Sequence, residues 1–158
     1  INDVIISTPT NDLIPRSIVL DTRDYIEEVA HQMCCCYDRG LYDACLVMMR
    51  KLLATLIIEC FERHGASADI KENNQFYFLS DLISKYIDSS YWNASINLQN
   101  NIGKIKTYGD LSAHNRRFIA KKDHIDKIRA EAGQVIQEII LTTNYTVWNQ
   151  ELKSKRKV

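Results

Sequence analysis

His114 lies in the densest polar stretch of this chain, Lys104-Ile105-Lys106-Thr107-Tyr108-Gly109-Asp110-Leu111-Ser112-Ala113-His114-Asn115-Arg116-Arg117. A Lys-rich helix end is followed by a Gly that can reverse the chain. Asp, Ser, His, Asn and two Arg then come in quick succession. A His among cations suits phosphate chemistry, because imidazole moves protons while Lys or Arg stabilises charge on phosphoryl oxygens. The same residues also fit a capped loop: Asp110 caps the next turn, His114 bonds a carbonyl, and Arg116 and Arg117 are solvated. Both readings stand on spacing alone.

Other sites are not evident. His31 and His124 occupy ordinary helical positions. His64 falls at a helix C-terminus, where the helix dipole favours a cation. The cysteines are Cys34, Cys35, Cys36, Cys45 and Cys60. Adjacent helical positions point about 100° apart, so the first three cannot converge on one zinc ion. There is no CxxC or HxxxH pair, no glycine-rich phosphate loop, no GxSxG and no HExxH. Reduced thiols, no metal and no cofactor are expected.

The elements that must position these residues are helices. Pro9 and Pro15 are the only prolines, so nothing rigid interrupts the chain after residue 16. Val4, Ile5 and Ile6, then Ile18, Val19 and Leu20, flank prolines and an Asn-Asp pair, which predicts an extended arm over 1–20. Asp21 or Thr22 can cap a first helix whose stripe is Tyr25, Ile26, Val29, Ala30, Met33, Cys36 and Tyr37. Gly40 ends it. A second helix, Leu41 to His64, carries Leu41, Cys45, Met48, Leu52, Leu56 and Cys60, widened by Leu46, Leu53 and Ile57. A helix apolar nearly all round belongs at a bundle centre. Arg50 projects from that surface and needs a partner, since an unpaired buried charge costs several kcal/mol. After Gly65 and a polar loop, a third helix is predicted over Gln75 to Asp88 and a fourth over Tyr91 to Lys106. Gly109 and Asp110 open a loop extending to Lys122. Asp123 caps a last helix ending near Tyr145 to Trp148.

The expected architecture is all-α: an up-down bundle of about five helices over 21–148, with an extended N-terminal arm and a basic C-terminal tail over 149–158. The 158 residues suffice for one domain with its own core, and 46% apolar with 25% charged residues are globular values. Lys plus Arg and Asp plus Glu are both 20, so the whole chain is not a strongly basic nucleic-acid clamp. Only the tail Lys153-Ser154-Lys155-Arg156-Lys157 is a basic run. No apolar run approaches ~20 residues, so no membrane span is expected. No signal peptide is evident, and a cytoplasmic location is expected. A first residue Ile1 rather than Met suggests a piece of a longer protein.

Two segments, in order and on helices of the right kind, resemble helical domains of the HEPN superfamily. The likeness is to its uncharacterised bacterial branch found with defence and restriction genes. That branch carries an inner helix with an Arg-Arg/Lys-x-Leu-Glu signature, here Arg50-Lys51-Leu52-Leu53-Ala54 after Tyr42-Asp43-Ala44-Cys45. It also carries Arg-x-x-Gly-Asn-x-x-Ala-His, here Lys106-Thr107-Tyr108-Gly109-Asp110-Leu111-Ser112-Ala113-His114. The resemblance spans roughly Asp21 to Tyr145. It implies a helical bundle, often a homodimer. In ribonuclease members it implies metal-free RNA cleavage by an Arg and a His facing a cleft between subunits. Where that Arg would stand, this chain has Gly109, Tyr108 or Thr107. The nearest upstream cation is Lys106, a point charge without the guanidinium fork.

Three functions follow as expectations. The first is a noncatalytic HEPN-like module that dimerises or docks to a partner and contacts nucleic acid through Lys104, Lys106, Arg116 and Arg117, in a defence or stress context. The second is a metal-independent endoribonuclease, with His114 as acid or base beside Lys106. The third is a structural domain of a larger protein.

Overall fold

The computed structural model describes residues 13–157. Residues 1–12 of the predicted arm, including Val4, Ile5 and Ile6, lie outside this range, as does Val158. Seven α-helices run through the described residues: α1 (Asp24–Asp38), α2 (Tyr42–Arg63), α3 (Leu79–Asp88), α4 (Ile96–His114), α5 (Lys122–Asp126), α6 (Arg129–Thr143) and α7 (Tyr145–Lys155). Single 3₁₀ turns occupy Arg16–Ile18 and Ser67–Ile70. A two-residue antiparallel hairpin pairs Lys71–Glu72 with Gln75–Phe76. The all-α prediction holds.

The nearly all-apolar helix sits at the centre as its composition requires. α2 packs against α1, α3, α4 and α6. Cys45, Leu46, Met49, Leu52, Leu53, Leu56, Ile57 and Cys60 have no solvent exposure. Gly40 and Gly65 end α1 and α2 in the left-handed region, at φ +74° and +69°. Each leaves a helix carbonyl to the residue beyond it: Leu41 N–H donates to Cys36 O, and Ala66 N–H to Phe61 O, both at 2.8 Å. All five cysteines are free thiols. Burial pushes the Cys45 and Cys60 thiols up to about 12. Among the described residues no helix is long and apolar enough to cross a membrane, and no group of His, Cys, Asp or Glu could hold a metal ion.

Five expectations are corrected. The described part of the arm is not extended. Leu13, Ile14 and Val19 are buried around the 3₁₀ turn, and Arg129 Nε donates to Leu13 O at 3.2 Å. Asp21 and Thr22 do not cap α1. Thr22 Oγ1 instead donates to Val19 O at 2.6 Å, and Arg23 is the N-cap without a side-chain bond. The third and fourth helices start later than predicted, because the hairpin takes up Gln75 and Phe76, and Ser95 caps α4 by accepting from Leu98 N–H at 3.1 Å.

The fourth correction concerns Gly109 and Asp110, which lie within helix and not in a loop. α4 continues to His114, and the irregular stretch is only 115–121. Gly inside a helix costs about 1 kcal/mol relative to Ala. Here the missing side chain lets α4 press on α2, since a Cβ at 109 would stand 2.7 Å from Arg50 Cβ. Packing overrides local preference.

The predicted last helix is three pieces, which is the fifth correction. Lys121, not Asp123, is the N-cap of α5, and α6 begins after Ile128. Asn144, at φ 55°, turns the chain between α6 and α7, and its Oδ1 accepts from Val147 N–H at 3.5 Å. The tail predicted from residue 149 is therefore helical as far as Lys155. Arg63 holds it from α2 through Glu151 at 3.1 Å.

Candidate functional site

The last three turns of α4 place Lys106, Asp110 and His114 on one face, each four residues after the one before. Beyond the helix end, Asn115 Oδ1 accepts from the N–H groups of Arg117 at 3.0 Å and Phe118 at 3.2 Å, folding the chain back in a tight turn. The return path is moored. Ala120 N–H donates to both carboxylate oxygens of Asp43 at the start of α2, each at 3.2 Å. The Phe118 ring lies 5.2 Å from that of His124, which lies 5.7 Å from that of Tyr108. The result is an open groove of about 650 Å³ lined by Lys106, Thr107, Asp110, Leu111, His114, Asn115 and Arg116.

Charge in the groove is partly spent. Asp110 bridges two cations: Arg50 Nε donates to its Oδ1 at 2.7 Å, and Lys106 Nζ donates to its Oδ2. Burial pushes the Asp110 carboxyl up. The hydrogen bonds from Lys106 and Arg50 outweigh it and leave the group below the usual carboxylate range, so it is ionised at neutral pH. Arg50 thus has the partner its position demanded. Its side chain is 28% exposed, an edge position and not a buried one. His114, Arg116 and Arg117 are exposed, and their side chains have no hydrogen-bond or ion-pair partner among the described residues.

The residues singled out in the sequence separate here. Lys106, Asp110, His114 and Arg116 come together, and Arg50 joins them through Asp110. Gly109 serves the site from behind by admitting Arg50. Lys104 does not join. It lies about 200° around the helix from Lys106, and its Nζ donates to Asn101 Oδ1 at 2.9 Å. Arg117 is near the groove but does not line it.

No family model matches the chain, and no curated protein or solved structure matches it.

The chemistry available follows from these contacts. An exposed His114 with no orienting carboxylate has no fixed tautomer, and the nearest helical cation is engaged by Asp110. General acid–base catalysis needs a positioned imidazole, whereas phosphate binding needs only accessible donors and positive charge. The carbonyl end of α4 disfavours an anion, so any affinity must come from the side-chain cations.

Sequence reading missed a second polar cluster. Glu59, on α2, is 4% exposed and accepts a hydrogen bond from Tyr145 Oη. Arg23 lies over the Trp148 ring at 4.3 Å and the Tyr145 ring at 5.3 Å, and donates to Asn149 Oδ1. The signal was present: Glu59 is a charge on the same apolar helix that exposed Arg50 to notice. Burial pushes the Glu59 carboxyl up, against the hydrogen bond from Tyr145 and the charge of Arg23.

Proposed function

We propose that this chain is a noncatalytic helical module of the HEPN type that dimerises and binds the phosphates of nucleic acid through the α4 groove. The observation that carries the reading is the pair of exposed, unpartnered side chains His114 and Arg116 that line the groove where α4 ends, with Arg117 next in the moored turn. Arg116 and Arg117 are cations on a moored backbone, so binding phosphate orders their side chains but not the chain that carries them. No described residue orients the exposed His114 ring, which favours binding over cleavage. A bacterial defence setting rests on the resemblance of the two motifs.

The test uses labelled single-stranded RNA and DNA at low salt. Binding should weaken as salt rises, with a log–log slope of about −0.7 per phosphate contacted on a single strand. No binding at low salt would leave only a structural role. RNA should stay intact in EDTA. Cleavage lost in His114→Ala would replace this reading with the metal-independent ribonuclease. Light scattering on the eluting peak checks the expected dimer.

A further inference from the structure

The groove that is to bind phosphate already contains an anion. Asp110 sits on its wall with one carboxylate oxygen on Arg50 and the other on Lys106. Building on the phosphate-binding reading above, we infer that Asp110 is a resident competitor: anchored by Arg50, it occupies Lys106, a groove cation that an incoming phosphate would use, and so keeps the groove's affinity low.

The two sides of the bridge are not equivalent. Arg50 is held by its stem against Gly109 between two packed helices, and it meets Asp110 through Nε. Its outer guanidinium nitrogens make no hydrogen bond among the described residues. Lys106 is different. It reaches Asp110 along the surface of one helix, as an i, i+4 pair with a flexible stem. Such pairs contribute little and exchange readily. A phosphate arriving at His114 and Arg116 can therefore draw Lys106 away while Arg50 keeps the carboxylate in place. Asp110 then remains as a like charge beside the bound phosphate and weakens it. Each favourable step has this opposing charge built into the same wall.

A carboxylate there could instead accept a bond from a sugar hydroxyl, which would strengthen RNA binding. Both of its oxygens already accept from cations, which favours the competitor. The two alternatives have opposite signs and one variant separates them.

The experiment measures fluorescence anisotropy of a labelled single-stranded oligoribonucleotide with the wild-type chain and Asp110→Asn at matched low salt. Asp110→Asn should bind about tenfold tighter, the order expected for removing one like charge from a partly solvated site. Its salt dependence should be steeper. In a Lys106→Met background the same substitution should gain less, because the like charge is still removed but no amine is freed to meet the phosphate. Equal or weaker binding by folded Asp110→Asn overturns the inference and leaves the phosphate-binding reading intact. An undiminished gain in the Lys106→Met background also overturns it. Binding by neither the wild-type chain nor Asp110→Asn removes both. Should Asp110→Asn fail to fold, Asp110→Ser is measured and read the same way.

Discussion

Arg50 lies at the edge of the contact between α2 and α4. A cation on an apolar helix surface announces a partner, and the partner is Asp110 on α4. Because the side chain is 28% exposed, the ion pair itself contributes little, about 0.2–1 kcal/mol. The stem packed on Gly109 adds apolar contact. Arg50→Ala is therefore expected to destabilise by about 1–2 kcal/mol and lower Tm by several degrees, read by thermal melting. An unchanged Tm would show that the stem contributes no packing. Glu59 is the opposite case. Its folded pKa is raised, so the stability it contributes is fully present below its unfolded value and is lost as pH rises through the folded one. Asp110 is lowered, so its contribution is present above its unfolded value and is lost as pH falls. Glu59→Gln keeps an acceptor for Tyr145 and removes the titration. The Tm of Glu59→Gln relative to wild type should rise as pH goes from about 4 to about 7. A flat difference would mean that Glu59 titrates in the folded protein at its ordinary value.

Among the elements, α4 departs most from expectation, and the cause is one atom that is missing. At Gly109 local preference favours a break, and Ala would normally improve the helix by about 1 kcal/mol. Here the added Cβ would meet Arg50 Cβ at 2.7 Å, and that atom is tied directly to the backbone of α2. Overpacking of this kind costs about 1–3 kcal/mol. Gly109→Ala is expected to destabilise despite its better propensity, measured by urea unfolding. Stabilisation would mean that α4 can move off α2 at no cost. The groove depends on the same contact, because α4 must reach His114 as helix for Lys106, Asp110 and His114 to share a face. The terminators of α1 and α2 were legible, since a Gly beyond a strongly periodic helix has a local meaning. The turn at Asn144 was not. The apolar period runs through it, and only the left-handed backbone of one Asn separates α6 from α7.

For the molecule as a whole, zero net charge makes the placement of cations matter more than their number. Replacing Arg116 or Arg117 by Ala should weaken binding to every sequence alike and reduce the salt slope by about 0.7 each, without lowering Tm. This is measured by titration at several salt concentrations. Loss of stability instead would assign these side chains to the fold. The groove has no counterpart in net charge or hydropathy, and it exists only because the Asn115 turn and the Asp43 mooring bring Arg116 beside the last turns of α4.

The sequence by itself determined the all-α class, the central place of α2, and the ends at Gly40 and Gly65. Each of these follows from periodicity or backbone preference over neighbouring residues, which a linear chain displays directly. Only the tertiary structure decided that Gly109 is a helix contact, that Asp110 joins Arg50 to Lys106, that Lys104 faces elsewhere, and that Glu59 is buried under Tyr145. These depend on which side chains meet across a helix packing interface. Residues 50 and 110 are far apart in the chain, and no local signal specifies their distance in the fold.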